Sequence, residues 1–170
     1  IISGEEESKI TYLGSISGLS DESQRLVIDI GGRSTEFILG KGLNYISGHS
    51  HNIGCVKLTE KYISKYPVDL SEVQKCLNEI QTYLVETKKR ISQPIDQILA
   101  VAGTPTALAA AELGRFDAGL IDGYHLTKFS LENWKNKITR ASVQEIEKMG
   151  IPEGRADVIL VGVLILLETL

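Results

Sequence analysis

Cysteine is nearly missing from this chain. Cys55 and Cys76 are the only two in 170 residues; their spacing fits no metal-ligand pattern and they build no disulfide framework, which suits a reducing compartment. Long apolar runs are missing too: the longest, Val158 to Leu167, is about ten residues, too short to cross a bilayer. With no signal-like segment either, the expected location is the cytoplasm, without membrane association. An excess of basic charge is also lacking. Lys and Arg number 18 against 22 acidic residues, a net charge of −4, so the domain has no field that draws nucleic acid. A polyanionic substrate would have to be met locally by backbone amides, a divalent cation, a few basic side chains or another domain. The compact basic run Lys88-Lys89-Arg90 reads as the C-terminal end of a helix, where cations are favoured. His49, His51 and His125 form no recognised metal spacing and receive no site. Repeats and low-complexity tracts are absent. The chain opens on Ile1-Ile2 without a Met and stops within the apolar helical pattern that closes at Leu170, so both ends read as boundaries and a partner domain is expected. A length of this order buries one sizeable core.

The most informative stretch runs from Leu26 to Leu39. Leu26 to Ile30 is too apolar for a strand with one wet face, and the alternation from Thr35 to Leu39 predicts its hairpin partner. Between them, Gly31 and Gly32 let a ligand approach the amides, and Ser34 and Thr35 add short hydroxyls. Such a turn can hold a phosphoryl group, with Asp29 delivered to it on rigid scaffold. Leu43 to Ser50 predicts a third strand after the Gly40-Lys41-Gly42 turn. Ser3 and Glu6 form a capping box for a helix expected to turn Ile10 and Leu13 inward. Helices are expected over Cys55 to Tyr66, stopped by Pro67, and from Asp69 or Ser71 to Ile91 with Val73, Leu77, Ile80, Leu84 and Val85 on one face. Ile98 to Ala102 reads as a buried strand leading through Gly103-Thr104-Pro105-Thr106 into an alanine-rich helix, whose N-terminal amides could bind an anion. A strand around Tyr124 to Phe129 follows, then helices capped by Ser130 and Ser142 and a last helix from about Gly154. The whole reads as an α/β domain with a mixed sheet of about five strands that begins as an antiparallel meander.

Five ordered segments resemble the exopolyphosphatase and guanosine pentaphosphate phosphatase family. They are Ile2 to Glu7, Asp29 to Glu36, Gly54 to Glu60, Gly103 to Thr106 and Arg155 to Leu160. The resemblance implies an actin-like, ribonuclease-H-like fold, with residues 1–170 as the second of two domains facing across a cleft and the N-terminal actin-like domain absent. It implies removal of the terminal phosphate of polyphosphate, or the 5′-phosphate of guanosine pentaphosphate, with water and Mg2+ or another divalent cation. By position Glu7 matches the water-activating base, while Asp29 and Glu36 match the acidic residues beside the phosphate turn. Asp29 suits a direct or water-mediated metal ligand; Glu36 could assist the metal or compete for the base role. Gly31, Gly32, Ser34 and Thr35 match the first phosphate turn, and Gly103, Thr104 and Thr106 the second. Arg33 stands where the family commonly has a third glycine, so it either faces solvent or adds a phosphate donor. The resemblance further implies homodimers of full-length relatives. Two other readings stay open: a noncatalytic nucleotide or polyphosphate sensor, and a kinase or ATPase on the same fold.

Overall fold

The computed structural model describes residues 2–91 and 93–170. A mixed four-stranded sheet carries β1 (Gln24–Ile30), β2 (Thr35–Lys41), β3 (Asn44–His51) and β4 (Gln97–Val101) in the order β3-β2-β1-β4. The three N-terminal strands form the expected antiparallel meander, and β4 joins β1 in parallel. Strand alternation sorts the side chains. Leu26, Ile28, Ile30 and Phe37 enter the larger core, whereas Val27 and Ile38 meet Tyr12 and Ile16 on the opposite face.

That second face is covered by α1 (Gly4–Ser15), which opens on the predicted capping box. Ile10 and Leu13 do not turn inward: they are 60% and 42% exposed, and Ser8, Tyr12 and Ile16 are buried instead. The cause lies in the sheet. Gly40 and Gly48 leave notches that Tyr12 and Ser8 fill, and a Cβ at either glycine would collide with them. The helix is therefore rotated to the face whose side chains fit those two notches, so that it can sit close to the strands.

The larger core lies across the sheet from α1. The helix α9 (Ile159–Thr169) runs through it, buried on every side from Ile159 to Leu166. Around it pack α2 (Cys55–Tyr62), α3 (Leu70–Arg90), α4 (Gly103–Leu113) and α6 (Lys128–Arg140), with the short helices α5 (Ala118–Ile121), α7 (Val143–Lys148) and α8 (Glu153–Ala156) between them. Leu160, Val163 and Leu164 pack inward, while Leu170 is exposed. On α3, Val73, Ile80 and Leu84 are buried and Val85 is exposed. Both cysteines are free, and burial pushes the Cys76 thiol up to about 12, so it is inert.

Three expected elements differ. α2 ends at Tyr62, since Ile63 already has extended dihedrals on the approach to Pro67. The last helix is divided into α8 and α9 at Asp157 and Val158. The expected strand from Tyr124 to Phe129 is a turn and a helix start, which leaves four strands among the described residues rather than five. Here side-chain bonding overrides β propensity: Tyr124, Ser130 and Trp134 all donate to Glu112 of α4, and Thr127, not Ser130, caps α6.

Candidate functional site

Both glycine turns lie at one end of the sheet, because β1 and β4 are parallel and each leads into its turn from its C-terminal end. Open α/β sheets bind ligands at that end. Asp29 is paired with Val101 on one side and with Glu36 on the other. Asp29 and Glu36 thus share the α1 face of the sheet. Ser50, opposite Glu36 on β3, donates to Glu36 Oε1 at 2.7 Å and fixes that carboxylate. Glu7 reaches the same place from α1, one residue before the Ser8 contact with Gly48.

The electrostatics report this convergence. Burial, followed by the charges of Glu36 and Glu7, pushes the Asp29 carboxyl above the ordinary aspartate range. The charges of Glu36 and Glu7 both act on the Asp29 carboxylate, and a cation would relieve that repulsion. Glu7, Asp29 and Glu36 are nevertheless not among the described residues whose ligand atoms crowd within 4.8 Å of one another. An open acidic set of this kind fits a hydrated hard cation such as Mg2+, which keeps several of its waters.

The first turn is held from behind. Gly31 N–H donates to Ser34 O at 2.9 Å, Cys55 N–H to Gly31 O at 3.0 Å and Lys57 N–H to Gly32 O at 3.0 Å. Gly54 must be glycine because a Cβ there would strike the backbone of Gly32 and Arg33. With the carbonyls drawn toward α2, the amides of Gly32, Arg33 and Ser34 make no hydrogen bond among the described residues. They form a nest open to an anion. Arg33 is exposed and has no ion pair among the described residues, so its guanidinium is free at the rim of the turn. Thr35 differs from expectation. It is fully buried and donates to Ile53 O at 2.5 Å, so its hydroxyl holds the turn and does not face a ligand.

At the second turn α4 starts at Gly103, with Pro105 in its first turn as predicted. Ala102 precedes it at φ 70° and ψ −162°, a conformation that L residues rarely adopt and that marks functional joints. Thr104 is buried against Gly162 of α9, and Thr106 Oγ1 donates to Ala102 O at 2.8 Å. The anion-binding capacity of this turn therefore rests on amides and the helix N-terminus more than on hydroxyls. The Arg155 guanidinium lies directly over Gly103, where any Cβ would collide with it. Beside it opens a cavity of about 570 Å³ whose rim carries Arg115, Lys148 and Arg155, with Thr106 and Phe116 in its lining. None of these three cations was singled out from sequence, although Arg155 belongs to a family-like segment. Their shared position follows only from the packing of α4, α7 and α8.

The model of the Ppx/GppA phosphatase family matches residues 1–170. Exopolyphosphatase 2 of Mycobacterium tuberculosis is 30% identical over 176 residues, which cover 99% of this chain and 54% of that protein. The structure of the Ppx/GppA phosphatase of Aquifex aeolicus, type II variant, matches with a TM-score of 0.91 at 32% identity, over 99% of this chain and 56% of that one. An exopolyphosphatase from Cytophaga hutchinsonii matches with a TM-score of 0.78 at 20% identity, over 96% of this chain and 55% of that one, a likeness of fold alone. The chain thus spans about half the length of these relatives. No helix among the described residues is long and apolar enough to cross a membrane.

Proposed function

Because the chain belongs to the Ppx/GppA phosphatase family, we propose that it forms one wall of a cleft in which water displaces a phosphate. The substrate is the terminal phosphoanhydride of polyphosphate or the 5′-phosphate of guanosine pentaphosphate, and the opposing wall comes from a preceding actin-like domain. What supports the reading is Asp29, under the charges of Glu36 and Glu7, at the sheet end that also bears the two glycine turns.

In this mechanism the amides of Gly32, Arg33 and Ser34 and the N-terminus of α4 hold the phosphoryl oxygens, with Arg33 and Arg155 adding charge-assisted donors. Glu7 orients the attacking water and takes its proton as the new P–O bond forms and the bond to the leaving phosphate breaks. Its position on a helix set closely against the sheet keeps the carboxylate near Asp29 without burying it. Asp29 and Glu36 would hold a divalent cation, which when bound offsets the charge on substrate and carboxylates. Ser50 limits the motion of the Glu36 carboxylate by a hydrogen bond from β3.

The test is orthophosphate release from polyphosphate and from guanosine pentaphosphate by the full-length protein. Glu7→Gln should lower kcat by about 100-fold or more with KM little changed, the usual scale for a lost general base. Equal turnover in that variant would reject the assignment of Glu7. Tight binding with no release by the parent protein would reject hydrolysis and leave the sensor reading.

A further inference from the structure

On β3 the alternation that turns Ser50 toward Glu36 turns His49 and His51 to the other face, against α3. The two rings meet edge to face with centroids 4.3 Å apart, and His51 also packs beside Phe37 and Tyr83. Glu86 of α3 closes the group: one ligand atom from each of His49, His51 and Glu86 lies within 4.8 Å of the others. His49 Nε2 is buried and without a hydrogen-bond partner. It stands 3.7 Å from Glu86 Oε1, too far for a hydrogen bond. That separation is close to the roughly 3.4 Å expected between a nitrogen and an oxygen that share a tetrahedral ion with bonds near 2.1 Å.

We propose that His49, His51 and Glu86 bind a divalent transition metal of the zinc class, pinning the edge strand β3 to α3. Two imidazoles and one carboxylate select such an ion over Mg2+, whose preference is for oxygen. Thr87 supplies the outer support that metal-bound imidazoles usually have. Its Oγ1 lies 2.7 Å from His51 Nε2 and is directed to Tyr83 O, so His51 keeps its proton on Nε2 and offers Nδ1. Arg90, now 2.8 Å from Glu86 Oε1, is exposed and can move aside when the ion arrives. The site is independent of the phosphatase reading.

Calorimetry on the metal-free protein should find one equivalent of Zn2+ bound at this site while millimolar Mg2+ does not compete. His49→Ala and Glu86→Gln should each weaken Zn2+ binding at least tenfold, with the metal-free unfolding midpoint unchanged. Co2+ in the parent should give the visible bands of a tetrahedral nitrogen and oxygen site, lost in both variants. Should His49→Ala prove unstable, Glu86→Gln, whose side chain is exposed, decides alone. No Zn2+ binding, or unaltered affinity in Glu86→Gln, overturns the proposal.

Discussion

Gly48→Ala tests whether the close seat of α1 is what positions Glu7. A Cβ at residue 48 would lie 2.6 Å from Ser8 Oγ and 2.7 Å from Ser8 Cβ, where ordinary contact begins at 3.4 Å. Gly48 is paired with Ile38 in the sheet, so the helix is the part that yields, by about 1 Å. Overpacking on this scale costs about 1–3 kcal/mol and should lower the unfolding midpoint. A displacement of about 1 Å at a catalytic group can cost about 100-fold in rate. We therefore expect kcat for orthophosphate release by the full-length protein to fall about 10- to 100-fold, with KM, set by the two turns, nearly unchanged. Ser8→Gly removes both clashing atoms. The double variant should recover most of the turnover, less the roughly 0.5–1 kcal/mol of stability that a glycine costs inside a helix. Full turnover in Gly48→Ala despite a lowered midpoint would refute the link between the seat and Glu7. A double variant as slow as the single one would show that the clash is not the cause.

Asp29 should give stability a distinctive pH dependence in metal-free buffer. Its carboxyl is raised in the folded state, so the fold binds that proton more readily than the unfolded chain; stability from this group is full below about pH 4 and is lost as pH rises through the raised value. Unfolding midpoints of Asp29→Asn measured across that range should lack this loss, millimolar Mg2+ should offset it in the parent, and parallel profiles for parent and variant would count against the acidic cluster. Thr35→Val removes the hydroxyl that donates to Ile53 O while keeping the shape, and should cost about 1–3 kcal/mol in denaturant unfolding because the buried carbonyl loses its partner. In that variant KM should stay near the parent value; a large rise would mean that the hydroxyl does serve the substrate.

What could be read from sequence was local. The apolar run of β1, the alternation of β2, the capping box at Ser3 with Glu6 and the cap at Ser142 each depend on neighbours a few residues away. The rotation of α1 depends on notches at Gly40 and Gly48, far along the chain, and so Ile10 and Leu13 were assigned to the wrong face. The segment after Tyr124 has strand-like composition, but Glu112 gathers its polar groups from another helix. Arg155 over Gly103 and Glu86 beside the histidines are likewise products of packing. A His-x-His pair on a strand places both rings on one face, and that signal was present at His49 and His51; its partner on α3 was not marked by any spacing.

The buried Arg25 ties the order in which the site can be assembled to the order of the chain. Its Nη2 pairs with Asp21 at 2.6 Å, a contact four residues away, but its Nε needs Gln97 of β4, 72 residues further on. A nascent chain can therefore build the acidic hairpin early, from short-range contacts, while the guanidinium still lacks one acceptor. Closing that long loop is the slow, entropically costly step. Arrival of β4 completes the coordination of Arg25 and brings the second turn beside the first in the same event. Loss of β4 would thus not leave a half-affinity site but an array of carboxylates with half its anion grip gone, so phosphate binding should appear during refolding only with the final phase.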